Sequence, residues 1–261
     1  MKRVLKILKW IGIVLLVLII ATPIVLRVRR NSAGKPETLH GGLVMVRNVF
    51  AYVIGARVGD KVIIFDGGID DAGGALDSLL GALGATRDQV SDVFLSHGHF
   101  DHVQHAPLCK NARIHLGIAD ADMAALKARH EPWAARMFAR ILPPPPVAVT
   151  NALLDRAEVM VGREKVLALP VPGHTPGSYV FLFRDVLIGG DTIFRDGNEL
   201  DFAMGAFSVS LDESKRSVGK LGPALAGLEI NQVCTGHQGC TKEGDGRRQL
   251  DNLVKKAPPI Q

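Results

Sequence analysis

"LSHGHFDHVQH", Leu95 to His105, sets His97, His99, Asp101 and His102 within six positions of one another. Crowding such side chains into an apolar setting is costly unless something pairs with them, and a metal ion is such a partner. The residues around its start, "SDVFLS", are apolar and β-branched and read as a buried strand, Asp92–Ser96. The cluster therefore stands where a strand runs out.

Working outward, four more apolar runs end in the same way. Asp66 closes "VIIFD", His174 follows "LALPVPG", Asp191 follows "VLIGG" and His237 follows "QVCTG". Glycine beside each lets the backbone turn sharply and leaves room in a crowded site. Any one of these residues alone reads as a turn residue or a cap; together they read as one site assembled from strand ends.

The intervening pattern is mixed. "GGLVMVRN", "FAYVIGARVG" and "KVIIFDGG" read as strands, and "DDAGGALDSLLGALG" as a helix with Leu76, Leu79, Leu80 and Leu83 at helical spacing. "ARIHLGI" is a further strand, and "ADADMAALKARHEPWAARMFARIL" a long amphipathic helix interrupted near Pro132. Pro143–Pro146 form a stiff extended connector. Strands resume in "AEVMVG", "KVLALPVPGH", "SYVFLFR" and "DVLIGGD"; a helix follows with a capping box at Ser210 and Glu213, and "INQVCTGHQG" is the last strand and turn. Two runs of strands mixed with helices suit an α/β class with two sheets face to face and helices outside.

The formal charge of +5 belongs to one end of the chain. Residues 1–30 hold Lys2, Arg3, Lys6, Lys9, Arg27, Arg29 and Arg30 and no acid; the other 24 basic side chains face all 26 acidic ones. That balance excludes a basic nucleic-acid surface. Between the cationic groups lie 17 uncharged residues, Trp10 to Leu26, near the lower limit for spanning a bilayer, with Trp10 at one edge as an interfacial anchor. Ala21-Thr22-Pro23 is a poor cleavage site, so residues 1–30 read as an uncleaved signal-anchor, one transmembrane helix holding an extracytoplasmic (periplasmic) domain. Residues 31–38, "NSAGKPET", read as a flexible tether, and 39–261 as the domain that carries the histidine and aspartate cluster. Cys109, Cys234 and Cys240 are too few for a disulfide framework; Cys234 and Cys240 flank His237 and would pair in an oxidising compartment, but all three are read as small buried thiols.

His-x-His-x-Asp-His, preceded by Asp66 and followed by "PGHTPGS", "GGDT" and "TGH", resembles the metallo-β-lactamase fold superfamily, over roughly residues 40–240. The resemblance implies an αββα four-layer sandwich with a two-metal site along one sheet edge. It implies that His97, His99 and His174 bind one ion and Asp101, His102 and His237 the other. Asp191 would bridge the ions and Asp66 support the site by hydrogen bonds. Three neutral imidazoles suit tetrahedral zinc with a fourth position for water, whose pKa falls to about 7. Asp101 would both ligate and orient the hydroxide. Two zinc ions are the expected cofactor; iron and manganese stay open.

"GGDTIF" resembles the glyoxalase II branch, with its related thioesterases and lactonases, and His99 stands where the di-iron flavoproteins carry glutamate. The expectation is a membrane-anchored binuclear zinc hydrolase acting with metal-bound hydroxide on an ester, lactone, thioester or related bond of a small molecule. The alternatives are a mononuclear iron oxidoreductase of the persulfide-dioxygenase kind, a β-lactamase-like amide hydrolase and a non-catalytic metal-stabilised module. His105 reads as a surface or supporting histidine rather than a ligand, and neither Tyr52 nor Tyr179 is given a catalytic role. The substrate wall is expected from Met123, Trp133, Met137 and Phe138 and from "FRDGNELDFAMGAF" after Asp191.

Overall fold

Strands that are apolar at almost every position need cover on both faces, and the chain supplies it in four layers. The computed structural model describes residues 33–70 and 72–259. One sheet has seven strands in chain order: β1 (Glu37–Thr38), β2 (Val44–Asn48), β3 (Ala51–Val58), β4 (Lys61–Phe65), β5 (Val90–Phe94), β6 (Arg113–Gly117) and β7 (Asn151–Leu153). It is antiparallel as far as β4 and parallel from β4 to β7. The second sheet contains β8 (Ala157–Val161), β9 (Glu164–Pro170), β10 (Tyr179–Phe183), β11 (Val186–Ile188), β14 (Gln232–Thr235) and β15 (Gly239–Cys240), in the spatial order β15-β14-β11-β10-β9-β8. A hairpin of β12 (Ile193–Asp196) and β13 (Glu199–Phe202) stands apart. The helices are α1 (Gly74–Ala82), α2 (Ala121–Ala124), α3 (Trp133–Ile141), α4 (Leu211–Ala224) and α5 (Gly246–Lys256).

Side-chain alternation builds the layers. In β4, Ile63 and Phe65 enter the space between the sheets with Phe94 and Phe181, while Val62 and Ile64 pack with Leu76 and Leu79 of α1. In β9, Val166 and Ala168 face the other sheet, and Leu167 and Leu169 pack with Leu221 of α4 and Leu250 of α5. The order is α1, first sheet, second sheet, then α4 and α5, the αββα arrangement expected above.

Strand direction places the site. Parallel β4 and β5 deliver Asp66 and the His97–His102 turn to one edge. In the second sheet β11 and β14 are parallel, and β9 reaches the same direction through antiparallel β10, so His174, Asp191 and His237 all leave at one edge. Backbone bonds join the two edges: Tyr179 N–H donates to Ser96 O at 2.7 Å and Tyr52 N–H to Gly236 O at 3.0 Å.

Several elements differ from the sequence expectation. The long helix is interrupted at Pro132 as expected, since proline lacks an N–H and pushes Glu131 away from helical backbone, but the break is wider and opens at Leu126, where φ is 59°, leaving α2 and α3. The opening strand begins at Val90 and ends at Phe94. Part of the expected tether joins the sheet: Ala33 bridges Asn48, and Glu37–Thr38 pair with Val44 and Met45. Helix α5 was not expected, since "GRRQLDNLVKK" buries only Leu250 and Leu253 as large apolar side chains. Among the described residues no helix is long and apolar enough to cross a membrane. The expected anchor, residues 1–30, lies outside the described residues.

The cysteine expectation is corrected. Cys234 and Cys240 stand directly opposite on β14 and β15 and form a disulfide. The glycine-flanked turn that presents His237 folds the chain back and brings them into register. Cys109 remains a free, buried thiol whose pKa burial pushes up to about 12. Alkylation of the denatured protein is therefore expected to modify Cys109 alone without reductant and all three cysteines after reduction, as read by intact mass.

Candidate metal centre

Every imidazole named by the sequence turns one nitrogen inwards and anchors the other on protein. His97 Nδ1–H donates to Ser96 Oγ at 3.0 Å, and Ser96 Oγ–H donates onward to Asp66 Oδ2 at 2.9 Å. His99 Nε2–H donates to the Glu131 carbonyl at 2.8 Å. His102 Nδ1 donates to Asp66 Oδ2 at 2.9 Å, His174 Nδ1 to Ser208 Oγ at 3.3 Å, and His237 Nδ1 to Phe50 O at 2.8 Å. Outward hydrogen bonds of this kind fix ring orientation and turn the other nitrogen of each ring towards the centre. Asp66 can hold Ser96 and His102 together because it leaves β4 at φ 58°, a left-handed conformation that turns its carboxylate back; Ser96 N–H donates to its other oxygen at 2.7 Å.

Inside, the ligand atoms form interlocking groups, each within 4.8 Å: His97, His99 and His174; His97, His102 and Asp191; Asp101, His102 and His237. His174 Nε2 lies 3.2 Å from His97 Nε2 and 3.1 Å from His99 Nδ1. Asp191 stands between the groups, with Oδ2 at 3.0 Å from His237 Nε2 and 3.7 Å from His174 Nε2, and Oδ1 at 3.3 Å from His102 Nε2. Asp101 Oδ2 is 3.4 Å from His237 Nε2.

These residues fit a metal. Three lone pairs facing one another repel, whereas a tetrahedral ion with nitrogens at about 2.0–2.1 Å would hold those nitrogens about 3.3 Å apart. His102 Nε2 and Asp191 Oδ1 are buried and lack a hydrogen-bond partner among the described residues, as atoms meant for an ion would be. Space is also reserved: a Cβ on Gly236 would sit 2.2 Å from Asp191 Oδ1 and 2.8 Å from His102 Cε1.

Electrostatics divide the imidazoles into two classes. Burial holds His97 well below the usual histidine range and lowers His99 to about 4 and His174 to about 3, so all three are neutral at pH 7. Burial also opposes charge on His102 and His237, but there the carboxylates prevail. Asp191, Asp66 and Asp101 raise His102 well above its ordinary value, and Asp191 and Asp101 raise His237 to about 9. Asp191, despite burial, is held well below the ordinary carboxylate range by His237 and His102.

Three contributors were not legible as site residues. Asp120, fully buried before α2, accepts from Gly98 N–H at 2.9 Å, Gly177 N–H at 2.8 Å and Thr175 Oγ–H at 2.6 Å. It thereby ties the His97–His99 turn to the His174 loop, although burial raises its pKa. Its signal in "ADAD" is that of an ordinary helix start. Ser96 and Ser208, which orient His97 and His174, were likewise unmarked. His105 is not at the surface: it pairs with Asp70, both fully buried, and its N–H donates to Gly67 O at 2.9 Å, bracing the Asp66 loop.

The centre floors a cavity of about 390 Å³ walled by Phe50, Phe100, Phe138, Phe194, Met204 and Phe207. Of the residues expected to form the substrate wall, Phe138 and, from the segment after Asp191, Phe194, Met204 and Phe207 line this cavity. Met123 instead is buried near Gly98, and Trp133 and Met137 face solvent.

Residues 44–237 match the family model of the metallo-beta-lactamase superfamily, well over half of the chain. The chain belongs to that superfamily. The probable polyketide biosynthesis zinc-dependent hydrolase PksB of Bacillus subtilis is 24% identical over 151 residues, 57% of this chain and 56% of the relative. Hydroxyacylglutathione hydrolase of Fuscovulum blasticum is 30% identical over 124 residues, 46% and 40% of the two chains. These matches span about half the length of the relatives. The probable metallo-hydrolase YflN of Bacillus subtilis matches more broadly, 25% identical over 80% of this chain and 87% of its own. In fold the chain is similar to BJP-1, a subclass B3 metallo-beta-lactamase of Bradyrhizobium japonicum, with TM-score 0.63 and 16% identity over 88% of this chain and 92% of that one. Superfamily membership accounts for the layer order and for the strand-end placement of the histidines.

Two outcomes are expected. Asp120→Ala leaves its donors unmatched and lowers zinc affinity about 10–100-fold, with the far-UV circular dichroism retained, as measured by competition with a chromophoric chelator. At pH 7 the raised His237 and His102 are protonated in the metal-free protein and the lowered trio is not. Zinc uptake therefore releases protons from the former pair, and affinity rises with pH towards 9, as read by calorimetry in buffers of different ionisation enthalpy.

Proposed function

We propose that the chain is a zinc-dependent hydrolase with a two-ion centre that cleaves an ester, lactone or thioester bearing an apolar acyl group. The observation that carries this reading is the cavity: an aromatic wall over a floor that includes His99, Asp101, His174, Asp191 and His237. Relatives named zinc-dependent hydrolase, hydroxyacylglutathione hydrolase and metallo-hydrolase support hydrolysis as the reaction class.

His97, His99 and His174 would hold one ion, Asp101, His102 and His237 the other, with Asp191 between them. When bound, zinc supplies a water of lowered pKa, about 7, and Lewis-acid polarisation of a carbonyl oxygen. The chain's own residues do the rest. Phe100, Phe138 and Phe207 take the acyl chain and exclude bulk water from the floor. Asp101, on the floor, orients the attacking water. Hydrolysis adds its hydroxyl to the acyl carbon and its proton to the departing oxygen or sulfur.

The reading includes a place for the enzyme. The apolar run Trp10–Leu26 with cationic flanks supports membrane anchoring, and the Cys234–Cys240 disulfide supports an oxidising, extracytoplasmic setting. The slightly acidic remainder of the chain supports a small-molecule substrate rather than nucleic acid.

Elemental analysis of the detergent-purified full chain is expected to find about two zinc ions per chain; a single iron would overturn the hydrolase reading. On a panel of medium-chain esters, lactones and thioesters, His99→Ala or Asp191→Ala is expected to lower kcat/KM at least about 10³-fold while the fold persists. Full activity in either variant would remove the proposed ligand set.

A further inference from the structure

Helix α3 borders two pockets. Phe138 lines the apolar cavity, whereas Arg136 and Arg140, one helical turn apart on another face, line a separate pocket of about 270 Å³. Arg129 and His130 complete its polar lining, and Pro143 and Pro144 belong to its walls. No acidic side chain is among the described lining residues.

Several polar groups in this pocket lack a partner among the described residues. His130 is 6% exposed, and neither of its ring nitrogens has a hydrogen-bond partner among the described residues. Arg136 is held by Glu131 at 2.6 and 2.8 Å, yet its Nε is buried and unpartnered. Arg129 and Arg140 form no ion pair among the described residues. Buried polar atoms normally find partners, and leaving them bare is costly. Guanidinium forks match the paired oxygens of carboxylate and phosphate, and an imidazole N–H adds a further donor.

We infer that this pocket binds an oxyanion, a phosphate or carboxylate group, beside the metal centre. The same short segment serves both places. The His130 ring centre is 6.2 Å from that of His99, and the next residue, Glu131, supplies the carbonyl that accepts from His99 Nε2. The oxyanion is either the charged end of the molecule being hydrolysed or a free inorganic anion. The first source rests on the hydrolase reading above; oxyanion binding itself does not.

The test uses the metal-loaded full chain and inorganic phosphate as probe. The His130 imidazole is followed by long-range ¹H–¹⁵N NMR in the wild type and in an Arg129→Ala/Arg140→Ala double variant, two exposed positions without ion pairs to lose. A saturable shift of His130, with phosphate bound at least about tenfold more weakly by the double variant, is expected. An unmoved His130, or equal affinity in the two proteins as phosphate held at the metal ions would give, overturns the site. The source is then read from two esters of one acyl group, one with a phosphorylated leaving group and one neutral. A roughly tenfold fall in the kcat/KM ratio of charged to neutral ester in the double variant assigns the anion to the substrate. An unchanged ratio with phosphate binding still weakened assigns it to a free anion. Absence of any hydrolysis would remove the hydrolase reading and leave the phosphate titration standing.

Discussion

Buried His174 Nε2 is turned towards His97 Nε2 at 3.2 Å and His99 Nδ1 at 3.1 Å, and the loops at this sheet edge are arranged around that contact. Left alone the three nitrogens repel, and burial forbids them the protons that would relieve the repulsion in water. What keeps them in place is the rest of the structure. Ser96, Glu131 and Ser208 hold the far nitrogens, and Asp120 ties the two loops that bring His97, His99 and His174 together. An ion held among the nitrogens would replace that repulsion with attraction to a large local charge.

The sandwich makes such a construction affordable. Strands buried on both faces are rigid and leave their ends as the natural outlet for polar side chains. Because β9, β11 and β14 run in one direction, His174, Asp191 and His237 emerge at the same edge, facing the Asp66 and His97–His102 turns of the other sheet. The second imidazole group differs in kind from the first. His102 and His237 sit among Asp66, Asp101 and Asp191, so their charge is balanced before any ion arrives. One centre thus contains a neutral set and an ion-paired set, joined by Asp191.

Much of this was legible in the chain. The layer order followed from apolar runs that alternate between two buried faces, and the histidine and aspartate positions followed from their recurrence after strand ends. Less legible was whatever depends on partners distant in sequence. "ADAD" announces a helix start, and only the approach of Gly98 and Gly177 makes Asp120 a clamp. Spacing left Cys234 and Cys240 open to pairing but favoured separate thiols, and only the turn carrying His237 sets them opposite each other. The interruption read near Pro132 is wider than its proline alone suggests, opening at Leu126, and on the helix that follows Trp133 and Met137 face solvent while Phe138 lines the cavity.

By itself, then, the sequence determined which residue types stand at strand ends and that both sheets are covered, since these depend on local periodicity and on the cost of burying unpaired polar groups. The tertiary structure alone decided which nitrogen of each imidazole faces inwards, since that is set by acceptors such as the Phe50 and Glu131 carbonyls from other parts of the chain. It alone also brought Phe50 and Phe100 to the cavity wall beside Phe138, Phe194 and Phe207, because these come from distant parts of the chain that meet only in the folded sandwich.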